Sequence, residues 1–285
     1  MKKFLALMLA VVMCVATFAM SSCGKIDPAE DWDNIKEDGE MIVGYTLFEP
    51  MNYKDNEGKF IGFDTEYAEA VGKYLGVKIK FQEITWSQKY IELDKGKIDC
   101  IWNGFTSNSD DNGVPRSDSV DFTTGYATNF QCVVVNTDKI NPADIDSLED
   151  LAGKTCAVEG GSAGEALALT VTTEDKLVKA TSQINAFNEL QYDRVDFIIV
   201  DVLLANRTCG KGGYDKCAKA YEQSTDLELY AIGCRNGSTL TAKINEATKA
   251  LMNDGEAGGL STLETLSLKY GVPLSAEVLA LKEAN

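Results

Sequence analysis

The stretch GKIDCIWNGFTSNSD, residues 96–110, begins as a buried strand and ends in small hydrogen-bonding side chains. Its first half is apolar up to Trp102, and its second half is polar from Asn103 onward. A buried polar group without a partner costs free energy, so such an ending is unfavourable inside a core. In open parallel sheets, ligands bind beyond the carboxyl ends of the strands. The stretch therefore predicts the floor of a binding site at the edge of an α/β sheet.

The segments before this stretch predict a parallel sheet covered by helices. Strand patterns alternate with helix patterns in the order MIVGY (41–45), GFDTEYAEAVGKYLGV (62–77), VKIKF (77–81) and SQKYIELDKG (87–96). Asp64 stands where the N-cap of the first helix is expected. A strand–helix–strand–helix–strand order is typical of parallel sheets, because parallel neighbours need a crossover connection.

A weak internal repeat indicates two lobes of similar build. KIDCIWNG (97–104) and RVDFIIVD (194–201) share a basic–aliphatic–Asp start and an apolar strand. In the second half, EGGSAGE (159–165) places Ser162 at the start of a helix, where free N–H groups attract an anion. Asp201 directly follows an apolar strand and suits a cationic group. Both residues also fit simple N-caps, and the pattern leaves that alternative open.

Composition excludes several classes of function. The chain has 285 residues, 27 Lys and Arg, 44 Asp and Glu, and a formal net charge of −17, so it repels nucleic acid. With 45% hydrophobic residues it is not disordered. It contains no His, which removes the commonest general base and metal ligand. We expect no metal site, no cofactor and no His-dependent triad.

The N-terminus predicts export and a lipid anchor. MKKFLALMLAVVMCVATFAMSSCGK (1–25) has a basic start, an apolar run and small residues before Cys23, as secretory signals do. MSSC is similar to a lipobox, in which the Cys is lipidated. We expect residues 1–22 to be a lipoprotein signal peptide, Cys23 the anchor and 23–34 a polar tether. The alternative is an uncleaved membrane helix, since Phe4–Met20 is just long enough to span a bilayer.

Six cysteines follow Cys23, and none lies in a CxxC pair, so a zinc or redox site is not indicated. Four of them lie in apolar strand patterns and read as small buried hydrophobic residues. Cys209 and Cys217 flank GKGGYDK, a polar loop. In an exported protein a disulfide between these two is possible.

Five ordered segments resemble the extracellular solute-binding proteins of polar amino-acid ABC importers, family 3. The resemblance covers roughly residues 40–275 and is carried by GYTLFEPMNYKDNEGKFIGFDTEYAEAVGKYLGV (44–77), GKIDCIWNGFTSN (96–108), LEDLAGKTCAVEGGSAGEAL (148–167), RVDFIIVDVLLA (194–205) and LYAIGCRNGSTLTAKINEAT (229–248). It implies an α/β, two-lobed periplasmic-binding-protein-like fold of type II, with a parallel-rich sheet in each lobe and a ligand cleft between them.

The same resemblance implies where the lobes divide. Lobe one would comprise residues 35–129 plus 232–285, and lobe two residues 130–231. The crossovers would lie near Thr128–Cys132 and Tyr230–Cys234. The ligand would be trapped between the lobes by hinge closure.

The resemblance also implies a set of ligand-binding residues. Phe48 and Trp86 would form apolar walls around the ligand. Asn103, Gly104 and Thr106 would form the polar floor at the strand end. Arg116 would clamp the α-carboxylate together with Gly161 and Ser162 at a helix start, and Asp201 would pair with the α-ammonium. The loop before Arg116 is longer than the family pattern. Thr46 and Ala163 replace more polar residues and argue against a Lys- or Arg-like ligand, although nearby Glu49 leaves the ligand class open.

We therefore expect a monomeric, lipid-anchored receptor on the cell surface or in the periplasm of a bacterium, which binds a free amino acid for the membrane permease of an ABC importer. Two alternatives use the same fold. One is an enzyme, a dehydratase or a lytic glycosidase, with Glu49, Glu159 and Asp201 as its carboxylates. The other is a sensory or adhesion module without a transport role.

Overall fold

Strands and helices alternate along the chain. The computed structural model describes residues 26–282 except 112, 257 and 258. The strands in this part are β1 (Glu40–Tyr45), β2 (Tyr53–Lys54), β3 (Phe60–Ile61), β4 (Lys78–Glu83), β5 (Cys100–Thr106), β6 (Asp110–Asp111), β7 (Val114–Pro115), β8 (Asp121–Phe122), β9 (Ala127–Asn129), β10 (Gln131–Asn136), β11 (Cys156–Glu159), β12 (Leu177–Ala180), β13 (Phe197–Asp201), β14 (Cys217–Glu222) and β15 (Glu228–Cys234). The α-helices are α1 (Asp31–Asp38), α2 (Phe63–Leu75), α3 (Lys89–Asp94), α4 (Ala163–Ala168), α5 (Gln183–Gln191), α6 (Val202–Thr208), α7 (Thr239–Met252), α8 (Thr262–Tyr270) and α9 (Ala276–Leu279).

Two sheets repeat one plan. In lobe one the order is β4-β1-β5-β15-β8, with β9 also paired to β15. In lobe two it is β12-β11-β13-β10-β14. Each sheet contains three parallel strands followed by an antiparallel one, β15 or β10. The chain therefore forms a mixed α/β fold in which the carboxyl ends of the parallel strands define one edge of each lobe.

The β5 strand is buried along its whole length, including Asn103 and Thr106, which continue it beyond the apolar part. Successive side chains of a strand point to opposite faces. Trp102 packs edge-on against Tyr67 of α2, with ring centroids 4.8 Å apart. Phe105 packs on the opposite face against Trp86, at 5.3 Å. Packing on both faces holds the end of β5 rigidly at the edge of the sheet.

The chain crosses between the sheets twice. It leaves lobe one at Phe130, between β9 and β10, and returns between β14 and β15, at residues 223–227. Tyr230–Cys234, where the sequence placed the second crossover, lie inside β15 of lobe one. The sequence of that strand is a continuous apolar pattern, so nothing in it marks where the chain passes from one sheet to the other.

The polar tether ends earlier than residue 34. Pro28–Glu30 form a 3₁₀ turn, and α1 begins at Asp31, which is buried. Both Asp31 carboxylate oxygens accept from Arg235 Nε, at 3.0 and 2.9 Å, and Ser238 donates to one of them at 2.6 Å. A polar composition concealed this helix, because its stabilising partner lies 204 residues away. The predicted signal peptide and lipidated Cys23 lie outside the described residues.

Asp64 is not the N-cap of α2. Gly62 takes that place with φ 138°, and a Cβ there would lie 2.1 Å from the Met51 carbonyl oxygen. Asp64 is instead buried in the first turn of the helix, where its carboxylate accepts from the Gly104 N–H at 2.7 Å and the Tyr126 hydroxyl at 2.9 Å. Helix α2 is thereby tied to the end of β5.

Cys209 and Cys217 are not joined. All six cysteines in the described part of the chain are free thiols, and the four in strand patterns are buried as predicted. Cys217 begins β14 opposite Asn136, and its Sγ faces Gln191 Oε1 at 3.9 Å. Within residues 26–282 as described, no helix has the length and apolar character of a membrane span.

Candidate functional site

A small cavity lies between the lobes, at the carboxyl ends of strands from both sheets. Its volume is about 20 Å³, which is room for about one water molecule. Both lobes supply its lining, which consists of Phe48, Trp86, Asn103, Gly104, Thr106 and Arg116 from lobe one and Glu159, Ser162, Ala163, Gln183 and Asp201 from lobe two. The lobes are therefore closed on each other around it.

Eight of the nine residues expected at the ligand line this cavity, and Gly161 does not. The Gly161 carbonyl instead accepts hydrogen bonds from two lobe-one cations, at 3.0 Å from Lys89 Nζ and 3.3 Å from Arg116 Nη2. Its N–H donates to Glu165 Oε2 at 2.6 Å. The glycine therefore connects the lobes through its backbone, next to the cavity rather than in it.

The floor of lobe one is held by hydrogen bonds of its own. Asn103 Oδ1 accepts from the Thr46 N–H and hydroxyl at 3.1 and 2.7 Å, while its amide nitrogen donates to the Thr46 carbonyl and to Asn52 Oδ1. Gly104 has φ 56°, and a Cβ there would lie 2.7 Å from the Phe48 ring. Asn103 orients the β1 end, and Gly104 permits close packing of the aromatic wall.

Arg116 is buried and positioned by three acceptors. Nε donates to Asp111 at 3.0 Å, Nη1 to the Thr106 carbonyl at 3.0 Å, and Nη2 to the Gly161 carbonyl at 3.3 Å. Its guanidinium lies 5.2 Å from the Phe105 ring centroid. A guanidinium has five N–H donors, so two remain for an anion at the cavity. The loop before Arg116 forms the β6–β7 hairpin, which supplies Asp111.

Lys89 is a buried cation that sequence patterns did not identify, because it reads as the first residue of an ordinary helix. Its Nζ lies 3.4 Å from Asp111 and over the rings of Trp86 and Tyr90, at 5.1 and 4.5 Å from their centroids. Burial, reinforced by the neighbouring Arg116 charge, lowers the pKa of Lys89 to about 8. It places a second positive charge beside the cleft.

Ser162 is both an N-cap and a cavity residue. Its hydroxyl accepts from the Glu165 N–H at 3.2 Å and caps α4. Asp201, in contrast, occupies the N-cap position of α6 without making a side-chain capping bond. Of the two residues with a competing capping role, only Ser162 performs it.

Asp201 belongs to a buried carboxyl pair. Asn129 donates to Asp201 and to Glu228, both at 2.5 Å, and Gln131 donates to the same two carboxyls at 2.8 and 2.9 Å. Gln183 donates to the other Asp201 oxygen. Burial raises the pKa of Asp201, and burial with the Asp201 charge raises the pKa of Glu228 to about 8. Two interacting carboxyls of this kind share one proton near neutral pH.

Glu159 is the third buried carboxyl. Burial, followed by the Asp201 charge, raises the pKa of Glu159 to about 8. Sequence reasoning considered it only as a catalytic carboxylate, and Glu49, considered with it, does not line the cavity. Gln183 was missed, although it begins a helix after parallel strand β12, where the strand-end rule applies. Among the described residues no cluster of His, Cys, Asp or Glu could hold a metal ion.

Comparisons with known proteins agree with this architecture. The model of the bacterial extracellular solute-binding proteins, family 3, matches residues 41–262. The chain is 29% identical to the L-cystine-binding protein TcyA of Bacillus subtilis, covering 95% of this chain and 97% of TcyA. It is 29% identical to the arginine-binding extracellular protein ArtP of the same organism, covering 95% and 98%.

A solved structure shows the same fold. It is an ABC uptake transporter substrate-binding protein from Streptococcus pneumoniae with bound histidine, and it superposes with a TM-score of 0.73 at 27% identity, covering 87% of this chain and 98% of that one. The resemblance drawn from five sequence segments and the two-lobed type II periplasmic-binding-protein-like fold are thereby confirmed. The chain belongs to the bacterial extracellular solute-binding proteins of family 3.

Proposed function

We propose that the protein binds a free amino acid between its lobes and presents it to the membrane permease of an ABC importer. One observation carries the proposal: Arg116 of lobe one and Asp201 of lobe two line the same small cavity. An amino-acid zwitterion presents a negative and a positive group within a few ångströms of each other. The names of the relatives TcyA and ArtP, binders of cystine and arginine, support the ligand class.

Each end of the zwitterion has a partner of opposite charge. The two remaining Arg116 N–H groups donate to the α-carboxylate, and Ser162 lies on the other lobe beside it. Asp201 takes the α-ammonium, held in place by its amide donors. Phe48 and Trp86 provide the apolar walls that exclude water and strengthen both charge contacts.

Binding requires the lobes to separate. A cavity of about 20 Å³ does not admit an amino acid, so the ligand enters an open form and closure follows. The two crossovers, at Phe130 and residues 223–227, are where backbone rotation separates the lobes with little change inside them. Trapping the ligand by closure suits delivery to a permease and needs no chemistry.

Export and anchoring form part of the same proposal. Residues 1–22 act as a lipoprotein signal peptide, and Cys23 carries the lipid that holds the protein at the membrane. The motif MSSC supports this, and anchoring keeps the receptor near its permease. Cys23→Ser is expected to release the protein from the membrane fraction, which fractionation and labelling with a fatty-acid probe would detect.

Calorimetry and thermal shift with the twenty amino acids on residues 24–285 test the binding proposal. At least one should raise Tm and bind, and Asp201→Ala should weaken its binding by about 30-fold or more, because a buried charged anchor is worth about 2–5 kcal/mol. The exposed Asp215→Ala of the same lobe is the matched control.

Circular dichroism should show that Asp201→Ala remains folded, since the change also removes repulsion with Glu228. Unchanged affinity in Asp201→Ala would contradict the site. Conversion of a bound ligand, detected by mass spectrometry, would favour an enzyme that uses Glu159 and Asp201. Failure to associate with any membrane permease would favour a sensory or adhesion module.

A further inference from the structure

One oxygen of the Glu159 carboxyl is buried without a hydrogen-bond partner among the described residues. It ends β11, is 4% exposed, lines the cavity, and its Oε1 makes no hydrogen bond to any described residue. The groups that act on it electrostatically are Lys89 and Asp201, and the Thr46 hydroxyl is its polar neighbour. Buried carboxylates are normally paired, because desolvation of an isolated charge is unfavourable. An unpaired one at a ligand cavity indicates a partner on the ligand.

The two cations of lobe one near Glu159 already have other partners. Asp111 lies 3.0 Å from Arg116 and 3.4 Å from Lys89, so one carboxylate already faces both positive side chains. Both cations also donate to the Gly161 carbonyl. One positive charge remains in excess on this side, and in the proposed complex the ligand carboxylate neutralises it at Arg116.

Lobe two has an excess of negative charge. Asp201 and Glu228 accept from the same two amide side chains, and burial together with the Asp201 charge raises the pKa of Glu228 to about 8, so the pair carries about one negative charge at pH 7. Glu159 adds a second when ionised. A zwitterion satisfies Asp201 with its α-ammonium and leaves Glu159 alone, whereas a ligand with one further positive charge satisfies both.

We infer that Glu159 selects ligands that carry a second positively charged nitrogen besides the α-ammonium bound at Asp201. The inference rests on the proposed function and names its substrate class. Two sources supply such a nitrogen: a basic side chain, as in arginine or lysine, or the second α-ammonium of a linked diamino acid such as cystine. It revises the expectation drawn from Thr46 and Ala163, because the carboxylate comes from β11 of lobe two rather than from the end of β1.

Calorimetry with matched ligands tests the inference. Arginine, lysine and cystine are compared with citrulline, which has the shape of arginine without its charge. At least one cationic ligand should bind about 30-fold or more tightly than citrulline, as expected for a buried charge pair. Glu159→Gln should reduce that ratio to about threefold or less, while Glu49→Gln, the same change outside the cavity, should leave it intact.

Proton release gives an independent readout. Because burial and the Asp201 charge hold Glu159 protonated at pH 7, a cationic ligand should expel about one proton, measured from binding heats in buffers of different ionisation enthalpy. Citrulline should expel none, and Glu159→Gln should abolish the release.

The outcomes separate the two claims. If arginine or lysine binds tightly and cystine weakly, the second nitrogen belongs to a basic side chain. If cystine binds tightly and the other two weakly, it is a second α-ammonium. Either result supports the inference. Citrulline, or another amino acid without a second positively charged nitrogen, binding as tightly as arginine, lysine and cystine would overturn it and leave the proposed function standing. Binding of no amino acid would overturn both. Should Glu159→Gln fail to fold, the wild-type ratio and proton release decide.

Discussion

At the residue scale, Asp64 shows how a carboxylate at a helix start can become a structural link instead of a cap. Its carboxylate accepts from the Gly104 N–H and the Tyr126 hydroxyl, and its other oxygen has no partner among the described residues. Burial raises the pKa of Asp64 to about 7, and those hydrogen bonds only partly oppose the shift. Asp64 therefore holds the floor of the site in place, and ionisation of its carboxyl destabilises the native state.

The raised pKa of Asp64 predicts a pH-dependent stability for the ligand-free protein. Because its native pKa of about 7 lies above the ordinary 3.8, the native state binds more protons than the unfolded state between these values. The stabilisation of the native state that results from this difference in the Asp64 pKa is complete below about pH 4 and is lost as pH rises through 7. Glu159 and Glu228 act in the same direction up to about pH 8. Tm should therefore fall as pH rises from about 5 to 8.

Asp64→Asn isolates this effect. Asparagine keeps an oxygen that accepts from Gly104 and Tyr126 but does not ionise, so Tm of the variant should fall less steeply between pH 5 and 8. Asp215→Asn, at an exposed turn, is the control. Parallel Tm–pH curves for Asp64→Asn and wild type would show that Asp64 does not titrate in this range.

At the element scale, helix α1 is held to lobe one by a buried ion pair. Arg235 follows β15 directly and donates to Asp31 as well as to the carbonyls of Leu93 and Ile98, at 2.9 and 3.0 Å. Asp99 lies 3.4 Å away. One guanidinium thus joins the N-terminal helix, the end of α3 and the start of the β5 segment.

Asp31→Ala should lower the free energy of unfolding by about 3–5 kcal/mol, because it leaves the Arg235 charge buried with Asp99 as its remaining acidic partner. Urea denaturation measures the change. Asp33→Ala, an exposed position in the same helix, should alter stability by less than about 0.5 kcal/mol. If both substitutions changed the free energy of unfolding equally, the ion pair would contribute no more than an exposed carboxylate at the start of the helix.

At the scale of the whole molecule, the closed arrangement depends on contacts across the cleft. The Gly161 carbonyl of lobe two accepts from Lys89 and Arg116 of lobe one. These contacts do not involve the ligand, so they favour the closed form in its absence as well. The balance between open and closed forms therefore follows from a few charged hydrogen bonds.

Lys89→Met should shift the ligand-free protein toward the open form. Loss of one charge-assisted hydrogen bond, about 1.5–3 kcal/mol, changes the closed-to-open ratio by about tenfold or more. Small-angle X-ray scattering should record a larger radius of gyration than for wild type. Lys95→Met, exposed at the end of the same helix, should not change it. An unchanged radius of gyration in Lys89→Met would show that this hydrogen bond does not control closure of the lobes.

The sequence by itself determined the alternation of strands and helices up to β5, the polar strand ends and the family. It also indicated most of the cavity lining, since Asn103 lies in β5, Asp201 ends β13 and Ser162 follows β11, and parallel strands bring their carboxyl ends to one edge. These features depend on the local periodicity of apolar residues and on small polar residues at the ends of strands and helices. Both can be seen within a single segment of the sequence.

Only the tertiary structure decided which charges meet. The Asp31–Arg235 pair spans 204 residues, the Gly104–Asp64 bond 40, and Gln131 reaches Glu228 across 97. It also placed the second crossover at residues 223–227 and left Cys209 and Cys217 as free thiols. The physical reason is that a side chain's partner, burial and pKa depend on distant segments that the fold brings together, and no local pattern records them.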